Sequence, residues 1–323
     1  MKRLLLVLVF LATNVGVQAG APTIKPTRSI RIDGNAKDIV VHAPNIYIGT
    51  SRGKLQVYNL KSNTFVKEIT LPKIKDFMGD MIDAAAASID YMDGRYLLLS
   101  DSGEKGYSDL WIHENNVTKK ILSAKDKKTL VKARFIDKDH VLLGTLGNEA
   151  VLMELSTKKE LYRKQLSESK FSDFALNADR TRAAYGCESG EITVLETRTG
   201  TILKRLNTLN KDNVYKVDLK NGIVAAAGQD RRAVWYSVKT GKGDFWPAHF
   251  LIYATGLSPS ARRVAFAMDE DNSISIYRID THQKIARLTG QKSTLNTIVF
   301  LDENRLVSGS DDDTVLLWNI AKQ

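Results

Sequence analysis

An apolar residue that closes a short run of alternating apolar and polar residues recurs about every 41 positions along this chain of 323 residues. Read backwards from the C-terminus, these positions are Trp318, Tyr277, Tyr236, Leu195, Met153, Ile112 and, after one longer step, Tyr58. A period of this length marks architectures that repeat one small structural unit. The period restricts the possible folds strongly, because every copy must form the same unit and bury its apolar surface against the next copy.

Each copy contains the signals of four short antiparallel strands. In "VAFAMDEDNSISIYRIDTHQKIARL", which begins at Val264, a small apolar run is followed by an acidic turn, an alternating run, a second turn and a third strand. A further run, such as "NTIVFL", precedes each copy. Four strands in a unit of about 40 to 45 residues are typical of a propeller blade. The sequence therefore predicts an all-β fold, a seven-bladed β-propeller.

The two ends of the chain are predicted to close the ring. The last copy ends after Ile320, so its outermost strand is missing, whereas "RSIRI", from Arg28 to Ile32, is a strand that precedes the first complete unit. We expect this strand to complete the last blade, because such pairing removes an exposed sheet edge. Residues 28–323 are then one propeller, and residues 20–27 are a short linker.

The first 19 residues have the features of a secretory signal peptide. Lys2 and Arg3 precede an apolar run from Leu4 to Ala12, and small residues end the segment at Ala19. A membrane anchor would need about 18 to 20 continuous apolar residues, and polar residues interrupt this run too early. We expect a periplasmic protein. Its single cysteine, Cys187, excludes an internal disulfide, so packing must supply the stability.

The charge balance argues against a nucleic-acid partner. Lys and Arg number 47 and Asp and Glu 37, a formal charge of +10, and loss of Lys2 and Arg3 with the signal leaves 45 against 37. This excess favours an anionic partner. However, basic and acidic residues are interleaved, and they form no arginine-rich block.

No motif for catalysis or cofactor binding is found in the sequence. It contains no haem attachment motif, no glycine-rich phosphate loop and no Gly-x-Ser-x-Gly elbow. The five histidines are not paired at metal-ligand spacing. The acidic turns Asp269–Asp271 and Asp311–Asp313 offer oxygen ligands for Ca²⁺, but Asp in a tight turn is better explained by bonds to nearby backbone amides. We assign no catalytic, cofactor-binding or metal-binding residue.

The last copy, "SGSDDDTVLLWNI", resembles the most recognisable run of the WD40 repeat family. In that family an aspartate in the turn and a tryptophan on the next strand belong to a hydrogen-bonded structural set, and Asp312 and Trp318 match them. The same spacing recurs in the pairs Asp271–Tyr277 and Asp230–Tyr236. The usual Gly-His pair of the set is replaced by Gly290-Gln291. The resemblance implies a WD40-like propeller with Asp230, Asp271, Asp312 and Trp318 in structural roles.

A second resemblance covers nearly the whole mature chain. The segments that carry it are "SKFSDFALN" from Ser169, "NKDNVYKVDLKNG" from Asn210, "AGQDRRAV" from Ala227, "FLIYATGLSPS" from Phe250 and "GQKSTLNTI" from Gly290. They are similar to the NapL-type proteins, secreted WD-repeat proteins of bacteria associated with the periplasmic nitrate reductase. The resemblance implies an accessory role in nitrate respiration, and it carries over no catalytic residue.

The connections between blades are the predicted partner-binding surface. Six of about seven crossings carry a lysine, and the step from Tyr58 to Ile112 is about 12 residues longer than the others. Aromatic residues gather in "GDFWPAHFLIY", for which packing between blades is an equal alternative to partner contact. The assigned residues are Lys75, Phe77, Met78, Met81, Tyr107, Lys211, Trp246, His249 and Lys292.

The favoured hypothesis is a periplasmic scaffold without catalytic activity, whose protein partner belongs, by resemblance, to the nitrate reductase system. One alternative is a Ca²⁺-dependent propeller hydrolase or lactonase, with carboxylates pointing inward along the central axis. Another is a scaffold for outer-membrane assembly, which is weakened because no cysteine follows the signal peptide to carry a lipid.

Overall fold

The chain folds almost entirely into short β-strands. The computed structural model describes residues 20–321, which form 31 strands, one 3-10 helix (Ala124–Asp126) and no α-helix. No helix in this part of the chain has the length and apolar character needed to cross a membrane. The predicted signal peptide lies outside the described residues. The predicted all-β fold is confirmed.

The structure contains seven sheets, which we call blades, and each has a row of four antiparallel strands. The strands of each blade are given from the one nearest the central axis outwards. Blade 1 comprises β3 (Ala36–His42), β4 (Asn45–Thr50), β5 (Lys54–Asn59) and β6 (Thr64–Thr70). Blade 2 comprises β9 (Ser88–Met92), β10 (Arg95–Asp101), β11 (Ser108–Glu114) and β12 (Val117–Leu122). Blade 3 comprises β13 (Leu130–Phe135), β14 (His140–Thr145), β15 (Glu149–Glu154) and β16 (Glu160–Gln165).

The remaining blades follow the same order. Blade 4 comprises β17 (Phe171–Leu176), β18 (Arg182–Cys187), β19 (Ile192–Glu196) and β20 (Ile202–Leu206), and blade 5 comprises β21 (Val214–Lys220), β22 (Ile223–Gly228), β23 (Arg232–Ser237) and β24 (Gly243–Pro247). Blade 6 contains β25 (Ala254–Leu257), β26 (Arg263–Ala267), β27 (Ile274–Arg278) and β28 (Lys284–Leu288). Blade 7 contains β29 (Leu295–Phe300), β30 (Arg305–Ser310) and β31 (Thr314–Asn319).

The first strands of the blades surround a central channel. Each contacts the first strand of the next blade, and β29 of blade 7 contacts β3 of blade 1, so the circle is complete. Blades approach closely at this joint: a Cβ atom on Gly309 would lie 2.7 Å from the Cβ atom of Ala36. Glycine at this position therefore permits the contact on which closure depends.

The core lies between the blades. The second strand of each blade is covered on both faces by its neighbours, and residues 224–228 of β22 ("VAAAG") are all buried. A strand covered on both faces loses the alternation of polar and apolar residues. The outermost strands are covered on one side only, and β6, β12 and β16 consist mainly of exposed residues. This explains why the small apolar runs and the alternating runs occupy different places in each repeat.

The N-terminal segment closes the ring as predicted. Strand β2 (Arg28–Arg31) pairs antiparallel with β31 and forms the fourth strand of blade 7, with Ile30 opposite Val315. The expected linker contains more structure than predicted, because β1 (Thr23–Ile24) pairs in parallel with β28 as a fifth strand of blade 6. The N-terminal segment thus joins two neighbouring blades.

Blade 7 contains the hydrogen-bonded set that the WD40 resemblance implies. The buried Trp318 donates its indole N–H to Ser308 Oγ (2.9 Å), and this hydroxyl donates to Gln291 Oε1 (2.8 Å). Gln291 Nε2 in turn donates to Ser310 Oγ (2.6 Å). Asp312 accepts the backbone N–H of Thr314 at 2.8 Å. Gln291 therefore connects the buried strands where the repeat family usually has histidine.

The other two turn aspartates differ from each other. Asp230 accepts backbone N–H groups from Lys211 (2.7 Å) and Arg232 (3.1 Å), so it ties a turn to a crossing loop as expected. Asp271 is exposed and pairs with the side chain of Arg287 at 2.7 Å. Asp269 takes the turn position instead, accepting the N–H of Ser273 at 2.9 Å. The structural role predicted for Asp271 is therefore wrong. Asp269 has this role in blade 6, because the turn of this blade is longer than those of blades 5 and 7.

Candidate functional site

The long step between Tyr58 and Ile112 folds into a hairpin that projects from the crossing between blades 1 and 2. Its strands are β7 (Ile74–Lys75) and β8 (Met81–Ile82), which pair antiparallel. Four apolar side chains of this segment are exposed: Phe77 (95%), Met78 (73%), Met81 (54%) and Ile82 (43%). We call residues 74–82 the rim hairpin. Ile82 was not among the residues predicted from the sequence.

The tip of the rim hairpin is held by its own hydrogen bonds. The Asp76 carboxylate accepts the backbone N–H groups of Met78 and Asp80, both at 2.9 Å. The backbone N–H of Asp76 donates to the carbonyl of Asp80 at 2.9 Å. An aspartate that bonds to amides two and four residues ahead closes a turn locally. Phe77 and Met78 are therefore presented on an ordered turn.

A neighbouring loop of blade 2 supports the rim hairpin. This loop, residues 102–107, connects β10 to β11, and Gly103 lies so close to Lys75 that an added Cβ atom would overlap the Lys75 carbonyl oxygen. The Ser102 hydroxyl closes the loop, because it accepts a hydrogen bond from the backbone N–H of Glu104 and donates one to the backbone carbonyl of Tyr107. Tyr107 is half-buried there. The structure thus brings together five of the predicted residues: Lys75, Phe77, Met78, Met81 and Tyr107.

The other predicted residues lie elsewhere. Lys211, His249 and Lys292 are exposed, but they belong to the crossings before blades 5, 6 and 7. Trp246 is wrongly predicted as a surface residue, since it is only 8% exposed. Its ring stacks on Tyr277 with centroids 4.6 Å apart, and its N–H donates to the carbonyl of His282. Trp246 packs blade 5 against blade 6, whereas the packing alternative for this segment placed Phe250 and Tyr253 between blades and left Trp246 at the surface.

The lysines at the crossings are partly neutralised. Lys170 lies 3.4 Å from Glu188, and Lys37 lies 3.8 Å from Asp311. Among residues 20–321, Lys75, Lys125, Lys211 and Lys292 form no ion pair within 4.0 Å. These four are the cations that the rim offers to an acidic partner.

A second charged region lies inside the ring. The channel encloses a cavity of about 440 Å³, and nine charged side chains line it: Asp38, Asp90, Lys132, Arg134, Asp173, Arg180, Lys216, Asp218 and Lys220. Arg134 pairs with Asp38 at 2.9 Å, Arg180 with Asp90 at 2.5 Å and Lys132 with Asp173 at 2.5 Å. Each of these three pairs joins residues of different blades. The pairs thus connect blades 1 to 4 across the channel.

The channel carboxylates also bind the backbone of the next blade. Asp38 accepts the N–H of Ile89 (2.9 Å), Asp90 that of Phe135 (2.8 Å), and Asp173 that of Val217 (3.2 Å). Asp218 accepts the N–H of Leu257 in the same way, at 2.8 Å. A first strand has no partner strand on its channel side. An aspartate there satisfies one of the free amides and positions the neighbouring blade at the same time.

In this network, burial and neighbouring charges shift the pKa values of the side chains in opposite directions. Burial alone would raise the pKa of Asp38, but the charges of Arg134 and Lys132 outweigh it and hold the pKa below the usual value. For Lys132, burial is the largest influence and lowers the pKa, although Asp173 opposes this change. The network depends on its partners, since a single buried charge would be costly.

The geometry of the carboxylates bears on the hydrolase alternative. That hypothesis predicts inward carboxylates, and four are present, but each is bound to a backbone amide and has a basic side chain within 4.0 Å. Among the described residues, no group of three or more His, Cys, Asp or Glu side chains has the arrangement of a metal site. The acidic turns are likewise engaged: Asp269 bonds to Ser273, and Asp311 to Asn296.

The channel network was not predicted from the sequence, although a signal was present. The first strands of five repeats read "AKDIVVH", "SIDYM", "LVKARF", "FSDFAL" and "VYKVDLK". Each carries charged residues where alternation alone predicts a buried strand next to the axis. Charges at the same position in several repeats indicate side chains that meet around the axis. The pair Lys37-Asp38 was predicted only as part of a crossing loop, but it lies in β3.

Comparisons with known proteins support the fold. No protein family model matches the chain, and no curated protein sequence matches it. Among solved structures, it is similar to the β-propeller domain of Cps50 (Swd1) from Myceliophteria thermophila, with a TM-score of 0.70. The similarity covers 91% of this chain and 98% of that domain at 12% sequence identity. Identity this low establishes the fold alone. The chain is a seven-bladed, WD40-like propeller.

Proposed function

We propose that this protein is a scaffold without catalytic activity that docks a protein partner through its rim hairpin. The exposed apolar side chains on an ordered turn carry this proposal. Contiguous apolar side chains in water are unfavourable, and on soluble proteins they mark interaction sites. Three charged residues, Lys75, Asp76 and Asp80, lie beside the apolar side chains. A partner with an apolar groove and an acidic group placed to meet Lys75 fits this surface best.

The energetics favour a small number of strong contacts. Transfer of a fully exposed Phe or Met side chain into an apolar groove stabilises a complex by about 1.5 to 3 kcal/mol. Phe77 and Met78 are the most exposed of the large apolar residues, so they gain most from such a transfer. The turn is closed by Asp76, which reduces the entropy lost on binding. We therefore expect these two residues to dominate the affinity.

The partner that we propose is a component of the periplasmic nitrate reductase system. Two features support this part of the proposal: the similarity of five segments to NapL-type proteins, and the predicted signal peptide over residues 1–19. Both rest on the sequence. The seven-bladed ring is compatible with an accessory role, because propellers serve many functions through their loops.

The test is direct binding of the purified mature chain to purified periplasmic nitrate reductase. The variant Phe77→Ser, Met78→Ser, Met81→Ser is expected to lose at least about tenfold in affinity, because interface anchors of this kind contribute 1 to 2 kcal/mol or more each. The matched control is Val66→Ser, Leu161→Ser, Leu203→Ser, which removes three exposed apolar side chains from the outer strands.

The outcomes separate the two parts of the proposal. If the reductase binds the wild type and the control but not the hairpin variant, both parts are supported. Equal binding by the hairpin variant would reject the rim hairpin as the docking surface. If the wild type does not bind at all, the nitrate reductase assignment is rejected.

A further inference from the structure

A groove with an apolar lining lies between blades 2 and 3, on the face of the ring opposite to the rim hairpin. It encloses about 320 Å³. It is formed by β12 and by residues next to the turns that follow β9, β11, β13 and β15. In a row of antiparallel strands these turns lie at one end, and the crossings between blades lie at the other. We call this the lower groove. Its apolar lining consists of Ile112, Val117, Ile121 and Leu155.

The alternation of β12 gives the lower groove one of its walls. Val117, Lys119 and Ile121 lie on the same face of this strand, which is the face towards blade 3. Lys120 lies on the opposite face, where its ammonium group is 2.5 Å from the buried Asp109. Val117 is 65% exposed, and Lys119 has no ion pair within 4.0 Å among residues 20–321. The fold therefore leaves an apolar side chain and a cation of this face without a partner.

The charged residues of the lower groove leave an excess of one positive charge. Three basic and two acidic side chains line it: Arg95, Lys119, Lys138, Glu114 and Asp139. Arg95 lies 3.4 Å from Glu114, and Lys138 lies 4.0 Å from Asp139. Lys119 therefore supplies the excess charge. A binding partner with an apolar tip and a net negative charge would complement this groove.

The rim hairpin has these properties. It contains one basic residue, Lys75, and two acidic residues, Asp76 and Asp80, so its net charge is negative by one. The exposed Phe77 and Met78 lie between the two aspartates, neither of which forms an ion pair within 4.0 Å in the described part of the chain. A volume of about 320 Å³ is at the lower end of the range for small-molecule sites, which suits one or two side chains. The hairpin and the groove of one molecule lie on opposite faces, so they can meet only between two molecules.

We propose that the lower groove binds the rim hairpin of a second copy of this chain, which inserts Phe77 and Met78 between blades 2 and 3. The two surfaces of this contact are different, so each copy can use its hairpin and its groove at the same time, and copies add head to tail. A copy whose hairpin is bound in this way cannot dock another partner through it. The contact needs only this chain, so its test does not depend on the nitrate reductase proposal.

The experiment is sedimentation velocity of the purified mature chain over a series of concentrations. The mean sedimentation coefficient of the wild type is expected to rise with concentration and to pass the value of a dimer, because the contact does not close on itself. The hairpin variant is Phe77→Ser, Met78→Ser, and the groove variant is Val117→Asp, Lys119→Glu. Each is expected to weaken self-association at least about tenfold, as loss of central interface anchors does. All four residues are exposed, so the substitutions leave the core intact.

A control and a mixture locate the contact. Leu161→Asp, Lys164→Glu makes the same kind of change at exposed positions of β16, outside the groove, and should associate like the wild type. In an equimolar mixture, the hairpin variant still has its groove and the groove variant still has its hairpin. We expect this mixture to form a dimer of one copy each and nothing larger. A wild type that stays monomeric, a hairpin or groove variant that associates like the wild type, a control that loses association, or a mixture without the dimer would overturn the proposal.

Discussion

At the scale of single residues, the aspartates that line the channel have two structural roles: they bind a backbone amide of the next blade and they form an ion pair with a basic side chain. The Asp38 carboxylate accepts the backbone N–H of Ile89 in blade 2 and forms an ion pair with Arg134 in blade 3. Lys37, its neighbour in sequence, points to the rim and lies near Asp311 of blade 7. Successive side chains of a strand face opposite sides, so two adjacent charges serve different parts of the ring.

Replacement of Asp38 by asparagine is expected to lower the free energy of unfolding at pH 7 by about 3 kcal/mol, because Arg134 would be left buried without its counter-charge. The pKa of Asp38 in the folded protein is lowered, so its stabilising contribution is present at pH values above 3.8 and is lost as the pH falls through the folded pKa. The difference between wild type and Asp38→Asn should therefore shrink towards pH 3. Urea unfolding at pH 7, 5, 3.5 and 2.5 measures it.

Asp93→Asn is the control for this comparison. Asp93 is exposed and has a positive φ of 47°, a conformation that asparagine also tolerates. This variant should differ from the wild type by less than about 0.5 kcal/mol. A difference for Asp38→Asn that stays constant from pH 7 to pH 2.5 would contradict the role given to its charge.

At the scale of elements, the rim hairpin depends on a loop that is distant in sequence. Strands of two residues cannot hold a hairpin in place alone. The contact between Gly103 and the Lys75 carbonyl positions it on blade 2, and the hydrogen bonds of Asp76 close its tip. Both segments belong to the long step between Tyr58 and Ile112. The additional residues of this step thus form one structural unit, made of the rim hairpin and the loop of residues 102–107.

Gly103→Ala is expected to displace the rim hairpin, because the added methyl group overlaps the carbonyl oxygen of Lys75. Trypsin should then cleave after Lys75 several-fold faster than in the wild type, and binding of the partner should weaken. Gly106→Ala is the matched control: Gly106 has a similar φ of 73° against 77° for Gly103, but no atom lies within 4 Å of an added Cβ. Equal cleavage of both variants would show that backbone strain, rather than the contact, explains the effect.

At the scale of the whole molecule, the two ends of the chain hold the ring together. Strand β2 supplies the outer strand of blade 7, and β1 extends blade 6. The second strand of blade 7 packs on the first strand of blade 1 at Gly309 and Ala36. The last blade has its fourth strand only when the N-terminal segment pairs with it. Closure therefore makes the stability of all seven blades depend on the first dozen described residues.

Ile30→Asp is expected to lower the free energy of unfolding by about 3 to 5 kcal/mol, because Ile30 is buried and an aspartate there places a charge in the core. The same substitution one residue earlier, Ser29→Asp, faces solvent and should cost less than about 1 kcal/mol. Thermal unfolding of both variants measures the difference. Similar unfolding temperatures for the two variants would contradict the closure of the ring by β2.

The period of about 41 residues was sufficient to predict the propeller, the number of blades and the pairing of the chain ends. These features depend on alternation and strand length, which each repeat expresses locally. The long step before Ile112 likewise identified Phe77, Met78 and Met81 as exposed, since an insertion into a repeat has no place in the core.

Only the tertiary structure decided which aromatic residues are covered and which charges meet. Trp246, within β24, packs on Tyr277 of the next blade, whereas Phe77, in the turn after β7, is exposed. The channel network joins Asp90 to Arg180, which are separated by 90 positions. Alternation in one strand determines which face a side chain occupies, but the neighbour across a blade boundary depends on how the whole ring closes.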